Sequence, residues 1–152
     1  MRVGRDFHVV FTLPDELAQL SIDNPYTVYH TLCRQAGRAI VEVGKRWSAL
    51  EALMGATVVL HSWGQQLNRH PHVHCLVPGG GLSLEDDRWV SLPPATFLPK
   101  RWLMSEFRQG FLKEVQKRYD EGRLLLRDDL AHLTIPAEFR RWMRRLARII
   151  HE

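Results

Sequence analysis

His70-Pro71-His72-Val73-His74-Cys75-Leu76-Val77 is the stretch on which the fold turns. It reads as a β-strand. Residues two apart in a strand share a face, so His72 and His74 project side by side with Cα atoms about 6.6 Å apart. Two imidazoles at that spacing can share one metal ion. His70 and His74 are about 13 Å apart on the same geometry, too far to chelate together easily. A metal site here therefore uses two of these three histidines and draws a third ligand from elsewhere. The plainer reading is a solvated or hydrogen-bonded histidine pair with no metal. Cys75 faces away from the histidines and reads as a small buried apolar residue.

The preceding segment suggests where a third ligand lies. Ala56 to Gln65 reads as a strand, Asn68-Arg69 as a short connection, and the two strands as an antiparallel hairpin. The predicted register sets Gln65 opposite His72, Trp63 opposite His74 and His61 opposite Leu76. Gln65 then offers a carbonyl oxygen beside the histidine pair, with His61 farther along the same face. A one-residue slip would reverse the facing. Two histidines and one amide leave coordination positions open, which is the style of a catalytic rather than a structural site. Imidazole ligands alone point toward zinc or manganese rather than magnesium.

Farther out, Phe7 to Leu13 alternates Phe7, Val9, Phe11 and Leu13 with His8, Val10 and Thr12, a strand pattern ended by Pro14. A short helix follows to Leu20. Asn24-Pro25 reads as a helix start with a capping Asn. The spacing of Tyr26, Tyr29, Cys33, Ala36, Ile40, Val43 and Trp47 predicts a helix over 25–47, with both tyrosines in the core. Gly79-Gly80-Gly81 reads as a flexible turn, since it lacks the Lys-Ser/Thr or the following helix of a phosphate cradle. Residues 82–84 and 88–90 suit a second hairpin. Phe107, Phe111 and Val115 mark a helix from Pro99 to about Gly122. Phe139, Trp142, Met143, Leu146 and Ile149 mark a last one over 136–149. The predicted class is α+β: a small central antiparallel sheet with helices packed on it.

The 152 residues suit a single domain, and 45% hydrophobic residues suffice for a core without disulfide or metal staples. Lysine and arginine number 21 against 17 acidic residues, a formal charge of +4. That balance favours polyanions, though weakly. Of eight histidines, four fall between His61 and His74. Two cysteines with no CxxC pairing argue against a disulfide framework or a four-cysteine zinc site. No stretch resembles a signal peptide or a membrane span, so a cytoplasmic protein is expected.

These blocks carry a resemblance. Phe7-His-Val-Val-Phe-Thr-Leu-Pro14 resembles the opening strand of the two-tyrosine rolling-circle transposases of bacterial insertion sequences. Leu60-His-Ser-Trp-Gly-Gln65 with residues 70–82 resembles their central block, and Phe107-Arg-Gln-Gly-Phe-Leu112 the helix that follows. The likeness runs from about residue 7 to 125. It places the chain in the HUH endonuclease superfamily, with an HUH-like, ferredoxin- or RRM-like sheet and His72-Val73-His74 as the motif. The resemblance implies Mg2+ or Mn2+ held by His72 and His74, and a third polar ligand on the neighbouring strand, which suits Gln65. It also implies single-stranded or hairpin DNA of transposon ends as partner, a nucleoid-associated bacterial location, and nicking and strand transfer through a 5′-phosphotyrosine.

Two departures from the family are expected to matter. Relatives open with a cysteine-rich zinc-binding region and continue past residue 152 into the tyrosine segment. Residues 1–152 accordingly read as one partial transposase domain, with a divergent helical tail from about 131, inactive alone. Tyr119 follows the histidine strand on a helix but does not match the tyrosine segment; its plainer role is an amphipathic surface residue. Asn68 and Arg69 at the hairpin tip and Lys100 and Arg101 at a helix start are candidate DNA contacts, or else turn residues and a solvated face. The arginines of the last helix could also meet DNA phosphates. Rival readings are a catalytically dead DNA-binding remnant or regulatory module, and a phosphodiesterase using metal-activated water.

Overall fold

The computed structural model describes residues 5–62 and 70–150. In chain order the elements are strand β1 (Phe7–Thr12), helices α1 (Ala18–Asp23) and α2 (Pro25–Arg46), strands β2 (Ala52–Leu53), β3 (Thr57–His61), β4 (His72–Val77), β5 (Gly80–Ser83) and β6 (Trp89–Ser91), and helices α3 (Lys100–Asp120) and α4 (Pro136–Ile149). Short 3-10 turns cover Asp15–Leu17 and Asp128–Thr134. The class is α+β, as predicted.

β4 is the middle strand of an antiparallel sheet ordered β1-β4-β3. Period-two alternation gives this sheet two unlike faces. Val73, Cys75 and Val77 are fully buried, while their neighbours along β4 point the other way. The buried face receives α2 and α3. Phe11 of β1 lies 5.0 Å from Phe107 of α3, ring centroid to centroid. Val28, Leu32, Ala36, Ala39, Ile40 and Val43 form the inward stripe of α2. A second antiparallel sheet is ordered β2-β5-β6.

Three local expectations change. Tyr26 is not in the core: it is 78% exposed and stacks on His30. The buried stripe begins at Val28, two residues on, which is about 200° around the helix. Tyr29, nearer that stripe, is half-buried against it. Asn24 makes no side-chain cap on α2. Instead its amide clips a distant strand of chain, Nδ2 donating to the Leu125 carbonyl at 2.9 Å and Oδ1 accepting from the Leu125 N–H at 2.8 Å.

The glycine run is not a loose turn either. Gly80 and Gly81 are buried strand residues of β5. A Cβ on Gly81 would lie 2.5 Å from the Leu53 carbonyl oxygen, and one on Gly80 would lie 2.8 Å from the Trp89 ring. The lack of a side chain is what lets β2 and β6 close on β5.

α3 and α4 match their predicted spans. Pro136 at the first position of α4 costs no hydrogen bond, because that N–H has no partner within a helix. Among the described residues no helix is long and apolar enough to cross a membrane.

Candidate metal centre

The face of the central sheet opposite the helices carries the histidines. On β4 it shows His72, His74 and Leu76; on β1, His8, Val10 and Thr12; on β3, Thr57, Val59 and His61. The register is His61 opposite His72 and Val59 opposite His74 on one side, and Thr12 opposite His72 and Val10 opposite His74 on the other.

This register corrects the predicted one. β3 ends at His61, so ten residues separate it from β4 rather than about four. The pairing slips by four positions, an even number, so the facing is unchanged. The β3 side chain directly opposite His72 is therefore His61. Gln65, Asn68 and Arg69 lie outside the described residues, as does Trp63.

One ring nitrogen from each of His61, His72 and His74 lies within 4.8 Å of the others. Ring centroids are 4.3 Å apart for His61 and His74, 5.1 Å for His72 and His74, and 5.2 Å for His61 and His72. An imidazole nitrogen sits about 2.1 Å from a bound first-row cation, so ligand nitrogens sharing an ion lie within about 4.2 Å. Small ring rotations close that gap, and the donor set fits a divalent transition ion. His61 is exposed and His72 and His74 are half-buried, which leaves the outer side of the set open to solvent.

Two contacts orient the rings. His72 Nδ1 lies 2.7 Å from the backbone carbonyl of His70. A carbonyl only accepts, so Nδ1 carries the proton and the Nε2 lone pair of neutral His72 is free to coordinate. His74 Nδ1 lies 2.6 Å from Nε2 of His8, and the two rings stack at 4.8 Å. That contact engages Nδ1, and with His74 as the donor the Nε2 lone pair of its neutral ring is the one that can coordinate. Partial burial, then the charges of His61, His72 and His8, hold the His74 pKa below the usual imidazole value. The ring is thus biased to the neutral form that binds metal.

His70 takes a different partner, with Nδ1 3.3 Å from an Asp15 carboxylate oxygen. Lys100 lines a cleft with His70 and Asp15, so the structure brings it to the edge of the histidine face. Arg101 is exposed on the first turn of α3 and does not line that cleft. Tyr119 sits far along α3, about 28 Å from Lys100 by helix rise. Its ring stacks on Phe139 at 3.6 Å and its hydroxyl donates to the Thr134 carbonyl at 3.3 Å. Those contacts make it a packing residue between α3 and α4.

Reasoning from sequence passed over His8 and set His61 too far along the face. Both have the parity of the open face, His8 in the alternation of β1 and His61 in that of β3. The missing information was which strand β1 pairs with, and where β3 stops.

The Y2_Tnp family model, described as "Putative transposase", matches residues 55–149. The chain is 41% identical over 137 residues to the "Putative transposase y4qJ" of Sinorhizobium fredii (strain NBRC 101917 / NGR234), covering 90% of this chain and 34% of that protein. It is 32% identical over 135 residues to the transposase for insertion sequence element IS801 of Pseudomonas savastanoi pv. phaseolicola, covering 88% of this chain and 30% of that protein. The chain thus spans about a third of the length of these relatives. Among solved structures, the metal-bound conjugative relaxase TrwC in complex with oriT DNA is similar with a TM-score of 0.57 at 13% identity, covering 72% of this chain and 42% of the relaxase. TrwC complexed with a 27-mer DNA comprising the recognition hairpin and the cleavage site gives 0.53 at 13% identity, with 72% and 44% coverage. At such identity the likeness is one of fold.

Proposed function

The chain belongs to the Y2_Tnp family of putative transposases, and from that premise we propose that its central sheet is the metal- and DNA-binding floor of an HUH-type strand-nicking site. The observation that carries this reading is the convergence of His61, His72 and His74 from two paired strands onto one open face. His61, His72 and His74 would hold the ion, with Mn2+ favoured over Mg2+ because three imidazoles are softer than the oxygen ligands magnesium prefers. Gln65 remains a candidate for a further ligand. A cation there supplies Lewis acidity to a phosphate oxygen of the bound strand.

The chain's own residues do the rest of the positioning. The His70 carbonyl fixes the tautomer of His72, and His8 fixes the ring of His74. Val10, Val59 and Leu76, each 45% exposed or more, surround the rings with apolar surface on which an unpaired base can lie. Lys100 at the neighbouring cleft, and Asn68, Arg69 and Arg101, are the proposed backbone contacts. The proposed partner is single-stranded or hairpin DNA of transposon ends; the similar relaxase is complexed with a 27-mer DNA comprising a recognition hairpin and cleavage site.

In the whole protein this site serves nicking and strand transfer. A tyrosine oxygen bonds to phosphorus, the bond to the 3′ oxygen breaks, and the phenolic proton is released as the 3′ hydroxyl forms. Tyr119 is not that tyrosine on this reading, because its ring and hydroxyl are held between α3 and α4.

Calorimetric titration with Mn2+ tests the proposal. One ion per chain is expected, with binding abolished in His72→Ala and His74→Ala and strongly weakened in His61→Ala. A wild-type chain that takes up no Mn2+, or a His72→Ala variant that binds as well as wild type, would sink the metal site. It would leave the DNA-binding remnant in its place.

A further inference from the structure

α4 carries the largest positive excess of the three long helices, where α2 and α3 each net three. α4 carries Arg140, Arg141, Arg144, Arg145 and Arg148 against Glu138 alone, an excess of four, the same as the whole chain's +4. Two of the five are neutralised. Arg141 pairs with Glu138 at 3.0 Å and Arg145 with Glu16 at 3.4 Å. Arg140, Arg144 and Arg148 have no carboxylate partner among the described residues.

Of these, Arg144 and Arg148 lie one turn apart, on one side of α4. They line an open groove of about 560 Å³ together with Arg108 and Gln109 of α3. Arg108 also donates to the Ala147 carbonyl at 3.3 Å, which ties α3 to α4 at this level. A merely solvated arginine face would point its guanidinium groups outward from a single helix. Here three guanidinium groups from two helices border one channel, where acidic groups would otherwise offset them.

The channel leads toward the histidines. Positions 108 and 112 of α3 face 144 and 148 of α4, while positions 100 and 104 share a second cleft, of about 540 Å³, with Ile149 and Ile150. α3 and α4 therefore run antiparallel, and the seam between them continues from groove to cleft. The second cleft is also lined by Val10 and Thr12. These are the residues directly opposite His74 and His72 in the ladder.

We propose that the α3–α4 seam is a second nucleic-acid contact, in which Arg108, Arg144 and Arg148 grip the sugar–phosphate backbone of the DNA strand whose next segment lies on the histidine face. The proposal rests on the DNA-binding reading above and adds the track along which the strand leaves. Guanidinium forks suit phosphate oxygens, and backbone contacts fix register without reading sequence. Lys100, in the cleft between groove and histidines, continues the cationic path.

The test measures binding of a labelled single-stranded oligonucleotide to this chain by fluorescence anisotropy over a series of salt concentrations. Each phosphate contact on a single strand contributes about 0.7 to the slope of log affinity against log salt. Arg144→Gln with Arg148→Gln should flatten the slope by about 1.4, while Arg144→Lys with Arg148→Lys keeps most of it. The charge-matched control, Arg140→Gln with Arg141→Gln, should change it far less. Equal effects of the two glutamine pairs, or no oligonucleotide binding by the wild-type chain, would overturn the seam. Mn2+ titration of the same proteins reads the histidine site separately. Intact Mn2+ binding with an inert Arg144/Arg148 pair refutes the seam alone. A flattened slope in a chain that binds no Mn2+ refutes the metal site and leaves the seam standing.

Discussion

The two faces of β4 are built from alternate residues of the same six, yet they do separate work. Val73, Cys75 and Val77 are sealed under α2 and α3. His72, His74 and Leu76 lie on the open side, with Leu76 52% exposed. One face contributes burial energy and the other chemistry. The division means that residues of the histidine face can be replaced without unfolding the sheet, while residues of the covered face cannot. A metal site placed on the non-core side of a sheet costs the fold little, because its imidazoles were never part of the packed interior.

The largest expected effect breaks the covered face. Phe111 is fully buried and stacks near Phe107, which in turn meets Phe11 of the sheet. Phe111→Ala should cost about 3–5 kcal/mol of stability, as deletion of a buried aromatic ring typically does. His72→Ala should shift the denaturant midpoint hardly at all, while removing Mn2+ binding. Comparable destabilisation by both substitutions would show that the faces are not independent.

A smaller effect sharpens the open face itself. His8 touches His74 through its ring nitrogen but is not among the three converging ligands. Losing a partner that orients a metal-bound histidine commonly weakens metal affinity about 10–100-fold. His8→Ala should fall in that range by calorimetry with unchanged thermal stability. An effect as complete as that of His74→Ala would instead make His8 a ligand.

The same contrast explains what the sequence disclosed. The HxH pair was legible because period two is a local property, and the same alternation placed Cys75 on the covered side. The ends of α4 were legible because Pro136 and the Phe139–Ile149 stripe are local signals too. His61 was misplaced because its partner depends on where β3 ends and on a ten-residue connection, neither of which alternation specifies. His8 was invisible as a site residue because β1 pairs with β4 across more than sixty residues, a choice made by tertiary packing. Asn24 carried a strong local capping signal, but its buried amide serves Leu125, a hundred residues on. Tyr26 misled because a run of apolar residues at helical spacing admits two stripes, and packing selects the one beginning at Val28.

The smallest expected effect concerns acid, and its sign follows from His74. Its folded pKa is lowered by partial burial and then by the neighbouring imidazoles, whereas in the unfolded chain it returns to about 6.5. Between those two values the unfolded chain binds more protons than the folded one. Stability is therefore full above about pH 6.5 and declines as the pH falls through that value toward the folded pKa. Mn2+ affinity should decline in the same direction, because each proton taken up by a ligand displaces the ion. In His74→Gln the stability loss on acidification from pH 7 should shrink, since no proton can add at that position. Urea midpoints measured across pH 7 to 5 for both proteins would check it. A wild-type midpoint that rises on acidification, with His74→Gln flat, would mean that the His8–His74 pair is stabilised by sharing a proton, and that the open face is organised by charge rather than by readiness for a cation.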